Sequence, residues 1–210
     1  MERANLPIDQ YNSLLDSIFT IIVEKGLAHT SMDFVASRLG MSKRTLYEIF
    51  GSKDEMLNSM LDHQHALHKA NIDKIFNSSS NTMEGLARVI KYQQEVFRKI
   101  NKSFFKDMDE RFKNLRHDYN HQHRKLNLGL GKAIITGMRQ GVFRKGIDFE
   151  LLLTLLRVQM ESLKRMEDFF PPEITLSRAY EAIAQSFLRS IATPKGIEIL
   201  ENLNIDNQNI

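Results

Sequence analysis

Side chains suited to gripping a polyanion gather in one short stretch: Lys43, Arg44, Thr45 and Tyr47, with Lys53 a little further on. Lysine and hydroxyl groups bind backbone phosphates, whereas base edges in the major groove give sequence choice. Arg44, with its two-pronged guanidinium, is the best candidate for reading guanine through O6 and N7, and Lys43 is the second. Glu48 can accept from cytosine N4, or is a plain exposed acid. A cation in the first turn of a helix opposes the helix dipole, so Lys53, just after Ser52, suits an external anion such as phosphate.

A second chemistry to weigh is metal binding. Histidines cluster as His63, His65 and His68 and as His117, His121 and His123. His117 and His121 share a helix face, but no acid sits at a compelling position and no His-Glu-x-x-His string occurs. The chain has no cysteine, which excludes disulfides, thiolate metal sites and cysteine nucleophiles. No nucleophile-base set or glycine-rich phosphate loop is present, so neither an enzyme nor a metal or cofactor is expected.

The elements that must position these residues are helices. Glycine and proline are scarce, and apolar residues recur at three- and four-residue spacings almost throughout. The first helix is expected near Ile8 to Lys25, with Leu14, Leu15, Ile18 and Ile22 on its inner side. Thr30-Ser31-Met32-Asp33 supplies a hydroxyl cap and an acid for a short second helix, and Gly40 ends that helix. Ser42 caps a third, Lys43 to Phe50, in which Leu46, Ile49 and Phe50 face inward and Lys43, Arg44, Thr45 and Tyr47 face out. Two helices joined by a turn at a glycine make a helix-turn-helix, whose second helix enters the major groove. Ser52 and Glu55 open the next helix as a capping box. Further helices are expected from Met83, from Ser103, from Arg116 to Gln140, from Asp148 to Phe170 and from Leu176 to Ile191, with Pro171-Pro172 as a break and a short apolar tail after Pro194 and Gly196.

The string from Thr30 to Leu57 resembles the DNA-binding region of TetR-family regulators. The segment Ser42-Lys43-Arg44-Thr45-Leu46-Tyr47-Glu48-Ile49-Phe50, then Ser52-Lys53-Asp54-Glu55-Met56-Leu57, stands at the family's spacing. The resemblance implies an all-α chain: a three-helix helix-turn-helix domain over residues 8–54, then a larger helical effector-binding and dimerisation domain over 55–203, about nine helices in all. It implies operator contacts from Thr30, Ser31, Ser42, Lys43, Arg44, Thr45, Tyr47 and Lys53, and a homodimer formed by Asp148–Phe170 and Leu176–Ile191. Leu151, Leu152, Leu155, Leu156, Val158 and Leu163 cover more than one side of the first of these, as a subunit interface requires. The middle helices then enclose a small-molecule pocket, for which Tyr92, Phe97, Phe104, Met108, Tyr119, Met138 and Met160 are the candidate lining.

The function expected is a sequence-specific regulator, a repressor released from a pseudo-palindromic operator by an effector. A ligand-dependent activator and a helical interaction protein without operator binding stay open. The net charge of +3 is too small to argue for nucleic acid. Up to Glu55 acids outnumber bases, so DNA attraction must come from a local patch. No stretch approaches the roughly 20 apolar residues of a membrane span, and no leader pattern opens the chain, so a cytoplasmic location without membrane contact is expected.

Overall fold

The computed structural model describes residues 6–100, 104, 107, 129–165 and 169–205. Among these the chain is all-α: α1 (Ile8–Lys25), α2 (Met32–Arg38), α3 (Lys43–Phe50), α4 (Lys53–Asn77), α5 (Thr82–Lys99), α6 (residues 129–139), α7 (Phe149–Ser162), α8 (Leu176–Ile191) and α9 (Pro194–Ile205). The described residues include no strand, only an isolated antiparallel bridge between Phe143 and Ala192. They fall into two compact units, one holding residues up to 71 with 99–115 and the other 72–98 with 116 onward.

In the first unit the apolar faces of four short-range neighbours close on one another. Leu15, Ile18 and Ile22 of α1, Val35 of α2, Leu46 and Phe50 of α3, and Met56, Leu57 and Met60 of α4 are buried together. Each set recurs at three- and four-residue spacing, so every helix has one face for the core and leaves the other to solvent. Between α2 and α3 the chain reverses at Gly40, whose φ of 66° is a conformation that side-chain-bearing residues rarely adopt. Of the two hydroxyls that Thr30-Ser31 offers, Ser31 caps α2, and its hydroxyl accepts from Phe34 N at 3.1 Å. Because Met56, Leu57 and Met60 belong to this core, compact packing continues past the domain boundary expected at residue 54. The division falls inside α4.

The second unit has its own core, built from Met83, Leu86 and Ile90 of α5, Ile134 of α6, Val142 and Phe143, Phe187, Leu188 and Ile191 of α8, and Leu200 of α9. Gly137 lets the Phe143 ring lie on the α6 backbone, since a Cβ there would sit 2.1 Å from a ring carbon. Residues expected as a loose apolar tail form α9 instead. Pro194 fits the first helical position, where its missing N–H costs nothing. Gly196, read as a terminator, is inside the helix, and a Cβ there would lie 2.3 Å from the Val142 carbonyl oxygen, so the close approach of that backbone requires glycine. α7 is shorter than the expected 148–170 element; it gives way to a 3₁₀ turn at Leu163–Arg165.

Candidate nucleic-acid interface

The outer side of the helix-turn-helix is built from the caps and exposed faces of three helices. Ser42 caps α3: its Oγ accepts from Thr45 N at 3.0 Å and shares a hydrogen bond with the Thr45 hydroxyl at 2.8 Å. With Leu46, Ile49 and Phe50 committed to the core, Lys43, Arg44 and Tyr47 are left exposed and Thr45 partly so. Tyr47 is 41% exposed on the outer face of α3. Lys53 occupies the first position of α4, with its Nζ 3.4 Å from the Leu27 carbonyl oxygen.

These elements frame an open cleft of about 360 Å³ lined by residues 28–33, Lys43, Tyr47 and Lys53. Five of the residues expected to contact DNA meet there: Thr30, Ser31, Lys43, Tyr47 and Lys53. Ser42, Arg44 and Thr45 are outside the cleft, on the same exposed helix. Apart from the buried Thr30, the cleft offers the hydroxyl groups of Ser31 and Tyr47 and the ammonium groups of Lys43 and Lys53, a set that matches phosphate oxygens.

Thr30 departs from the expected role. It is 1% exposed, and its hydroxyl donates to the Gly26 carbonyl oxygen at 2.7 Å, so it holds the α1–α2 turn from inside. The same turn is tied from far along the chain by Asp107, whose carboxylate accepts from Ala28 N at 2.9 Å. No local pattern marks Asp107 in the sequence, because its partner is a backbone amide 79 positions away.

The electrostatics of the helix-turn-helix carry a feature that the sequence left open. Lys43 Nζ donates to Asp33 Oδ2 at 2.9 Å, and Arg44 Nε donates to Glu48 Oε1 at 2.8 Å. Each hydrogen bond, reinforced by the acid's charge, pushes the pKa of its base up from the ordinary value. Both cations of α3 are thus engaged by carboxylates of their own chain. The Asp33 pairing joins α2 to α3; the Glu48 pairing spans one turn of α3.

In the second unit, Phe97 meets Tyr180 edge-to-face with ring centroids 4.8 Å apart, and burial pushes the Tyr180 hydroxyl's pKa well up. Met138 and Met160 pack partly buried against the core, and Tyr92 is partly buried on α5. Phe104, expected beside them, belongs instead to the core of the first unit. Met108 and Tyr119 lie outside the described residues, as do His117, His121 and His123. Polar groups that the sequence reading missed accompany the aromatic pair: Gln94 Nε2 donates to Glu181 Oε2 at 2.6 Å, and Gln185 Oε1, one turn beyond Glu181, is buried with no hydrogen-bond partner. Their signal was an i, i+4 polar spacing on an otherwise apolar helix face.

His63 Nε2 lies 3.1 Å from Asp16 Oδ1 and so ties α4 to α1. Among the described residues no group of three or more histidine, aspartate and glutamate side chains is arranged to hold a metal ion. Nor is any described helix long and apolar enough to cross a membrane.

Comparison with known proteins agrees with this geometry. Residues 14–60, which span the helix-turn-helix, match the model of the bacterial regulatory proteins of the tetR family. The HTH-type transcriptional repressor KstR2 of Rhodococcus jostii is 29% identical over 159 residues, which cover 69% of this chain and 72% of that one. The solved structure of the ketosteroid transcriptional regulator KstR2 of Mycobacterium tuberculosis aligns over 91% of this chain and 99% of its own at 21% identity, with a TM-score of 0.56. The Bacillus subtilis regulator FadR, solved with stearoyl-CoA, shares the fold over 86% of this chain and 99% of its own, at 17% identity and a TM-score of 0.65. The cleft and the exposed face of α3 both lie within residues 14–60, so the first unit carries a DNA-binding domain of the tetR type, as in bacterial transcriptional regulators.

Proposed function

We propose that the chain is a cytoplasmic homodimeric repressor that holds a pseudo-palindromic operator and lets it go when a small apolar molecule binds the second unit. The observation that carries the DNA side of this reading is the convergence of Ser31, Lys43, Tyr47 and Lys53 on one open cleft beside the outward face of α3. Ser31, Tyr47 and Lys53 grip phosphate, with Ser42 and Thr45 at the α3 cap; Arg44, and Lys43 once released from Asp33, read base edges.

The dimer is formed by α7 and α8. α7 has no fully buried residue within the single chain, and Leu151, Leu155 and Val158, one stripe at helical spacing, are 54%, 50% and 61% exposed. A stripe of that length on a regulator that must meet two half-sites about 34 Å apart is best covered by a second copy. α8 already buries Leu176, Phe187, Leu188 and Ile191 in its own unit, and so offers the partner its small exposed residues Ala182 and Ser186.

The effector is an apolar molecule with at least one polar group. Phe97, Tyr92, Met138 and Met160 supply apolar and polarizable wall, and Gln185 supplies a buried acceptor. A ketosteroid in the name of one structural neighbour and stearoyl-CoA bound to another are in keeping with a mainly apolar small molecule that carries a polar group.

The test is selection of bound fragments from sheared genomic DNA by the purified chain, followed by titration of the enriched fragments at two salt concentrations. Enrichment of a pseudo-palindrome with tight, salt-dependent binding is the expected result. Weak binding indifferent to sequence would overturn it.

A further inference from the structure

We infer that Glu48 is a positioning residue for base recognition: it fixes the guanidinium of Arg44 so that the two terminal nitrogens, and not Nε, meet guanine. The inference rests on the DNA-binding reading above and adds a specificity-determining residue to it. Arg44 and Glu48 stand four apart on α3, so their side chains share a face. The contact runs from Nε, at 2.8 Å from Glu48 Oε1. The Arg44 side chain is 83% exposed while that of Glu48 is only 31% exposed. The acid therefore lies along the helix, and the outer end of the guanidinium projects past it into solvent.

A guanidinium holds five N–H groups in one plane. With the Nε edge facing the carboxylate, the end-on pair of N–H groups, one on each terminal nitrogen, still points outward in a fixed fork, and guanine O6 and N7 form the matching pair of acceptors. Holding that plane before contact removes rotamer freedom that a long flexible cation would otherwise lose on binding. The carboxylate has a second effect. Close to the DNA its charge opposes phosphate, so it lowers affinity for every sequence while sharpening the choice at one base pair.

Those two effects have opposite signs, and loss of fold cannot mimic them. The experiment measures binding of the full chain to the selected operator, to operators carrying each other base pair at the Arg44 position, and to random duplex. The variants are Glu48→Ala, Glu48→Gln, Arg44→Ala and the double variant Arg44→Ala/Glu48→Ala. Arg44→Ala should cost on the order of ten- to a hundredfold in discrimination at one base pair per half-site. Glu48→Ala should lose about tenfold of the same discrimination, with random-duplex affinity unchanged or raised. Glu48→Gln should keep most of the discrimination, because its side-chain oxygen still accepts from Nε. In the Arg44→Ala background, removing Glu48 should change nothing at that base pair.

Undiminished discrimination in Glu48→Ala overturns the inference. So does loss at a different base pair that persists without Arg44, which would mean Glu48 reads cytosine itself. Failure of the wild-type chain to prefer any operator over random duplex is a separate result: it overturns the DNA-binding reading and this inference with it.

Discussion

Replacing Lys53 by alanine should flatten the salt dependence of operator binding by an amount that counts phosphates. Lys53 lines the cleft with Ser31 and Tyr47, at the first position of α4, where the helix dipole already presents positive charge. Its contact to the Leu27 carbonyl is long, at 3.4 Å, and removing a cation from a helix N-terminus favours the helix, so the fold should tolerate the change. Each neutralised phosphate contributes about 0.9 to the slope of log affinity against log salt, so two copies in a dimer contribute about 1.8. Across a fourfold rise in salt, from roughly 50 to 200 mM, the advantage of wild type over the variant should therefore shrink by about 12-fold. The assay is fluorescence anisotropy of a labelled operator at four or five salt concentrations, with Lys53→Arg as the variant that keeps the slope. A lower affinity with an unchanged slope would refute the reasoning, because it would mean that Lys53 shapes the turn without touching phosphate.

Four further outcomes are expected. Ser42→Ala removes the cap of α3 and should lower unfolding stability by about 1 kcal/mol in chemical denaturation, with no new base preference. Gly196→Ala drives a Cβ to within 2.3 Å of the Val142 carbonyl, backbone that is itself tied by the bond from Thr193 N, and should cost about 1–3 kcal/mol in the same assay. Leu155→Glu places a charge on the exposed α7 stripe of both protomers and should weaken the dimer by on the order of a hundredfold or more in analytical ultracentrifugation. Burial lowers the pKa of His65 and His68 from 6.5, His68 being lowered further by its neighbour His65. The unfolded chain then binds more protons than the folded one as pH falls through that value, so stability is full above about 6.5 and declines below it, read as a falling Tm that His65→Asn/His68→Asn should blunt.

Much of the first unit was legible because its signals are local. Leu46, Ile49 and Phe50 take the inner face of an eight-residue helix, which leaves Lys43, Arg44 and Tyr47 only the outer one. Ser42 and Gly40 mark their turn through cap and backbone chemistry that any reader of the sequence can apply. What was not legible depends on contacts far apart in the chain. The Asp107 carboxylate on Ala28 N, the Phe104 ring in the first core, and Gly196 against the Val142 carbonyl all join distant positions. Gly196 is instructive, since glycine within a helix normally weakens it, and only the approach of another backbone explains its place. The same limit applies to the ligand side: the i, i+4 spacing of Glu181 and Gln185 is visible in the sequence, but the burial of Gln185 Oε1 depends on the packing of α8.

The acid excess of the N-terminal segment, at first sight an objection to DNA binding, has a role once the pairings are known. Asp33 and Glu48 stand 2.9 and 2.8 Å from Lys43 and Arg44, the two cations of α3, and Glu24 lies 3.7 Å from Arg38. A recognition helix with unopposed lysine and arginine would gain affinity for every duplex alike, because the phosphate field carries no sequence information. Carboxylates beside those cations subtract from that uniform term. They subtract less from a correct site, where the bidentate base contact compensates for a displaced or shared partner. Since a regulator in a cell competes against a vast excess of wrong sites, the ratio of the two affinities matters more than either one. On the proposed reading, Ser31, Tyr47 and Lys53 supply the phosphate grip, and the acids paired with Lys43 and Arg44 keep that grip from becoming indiscriminate.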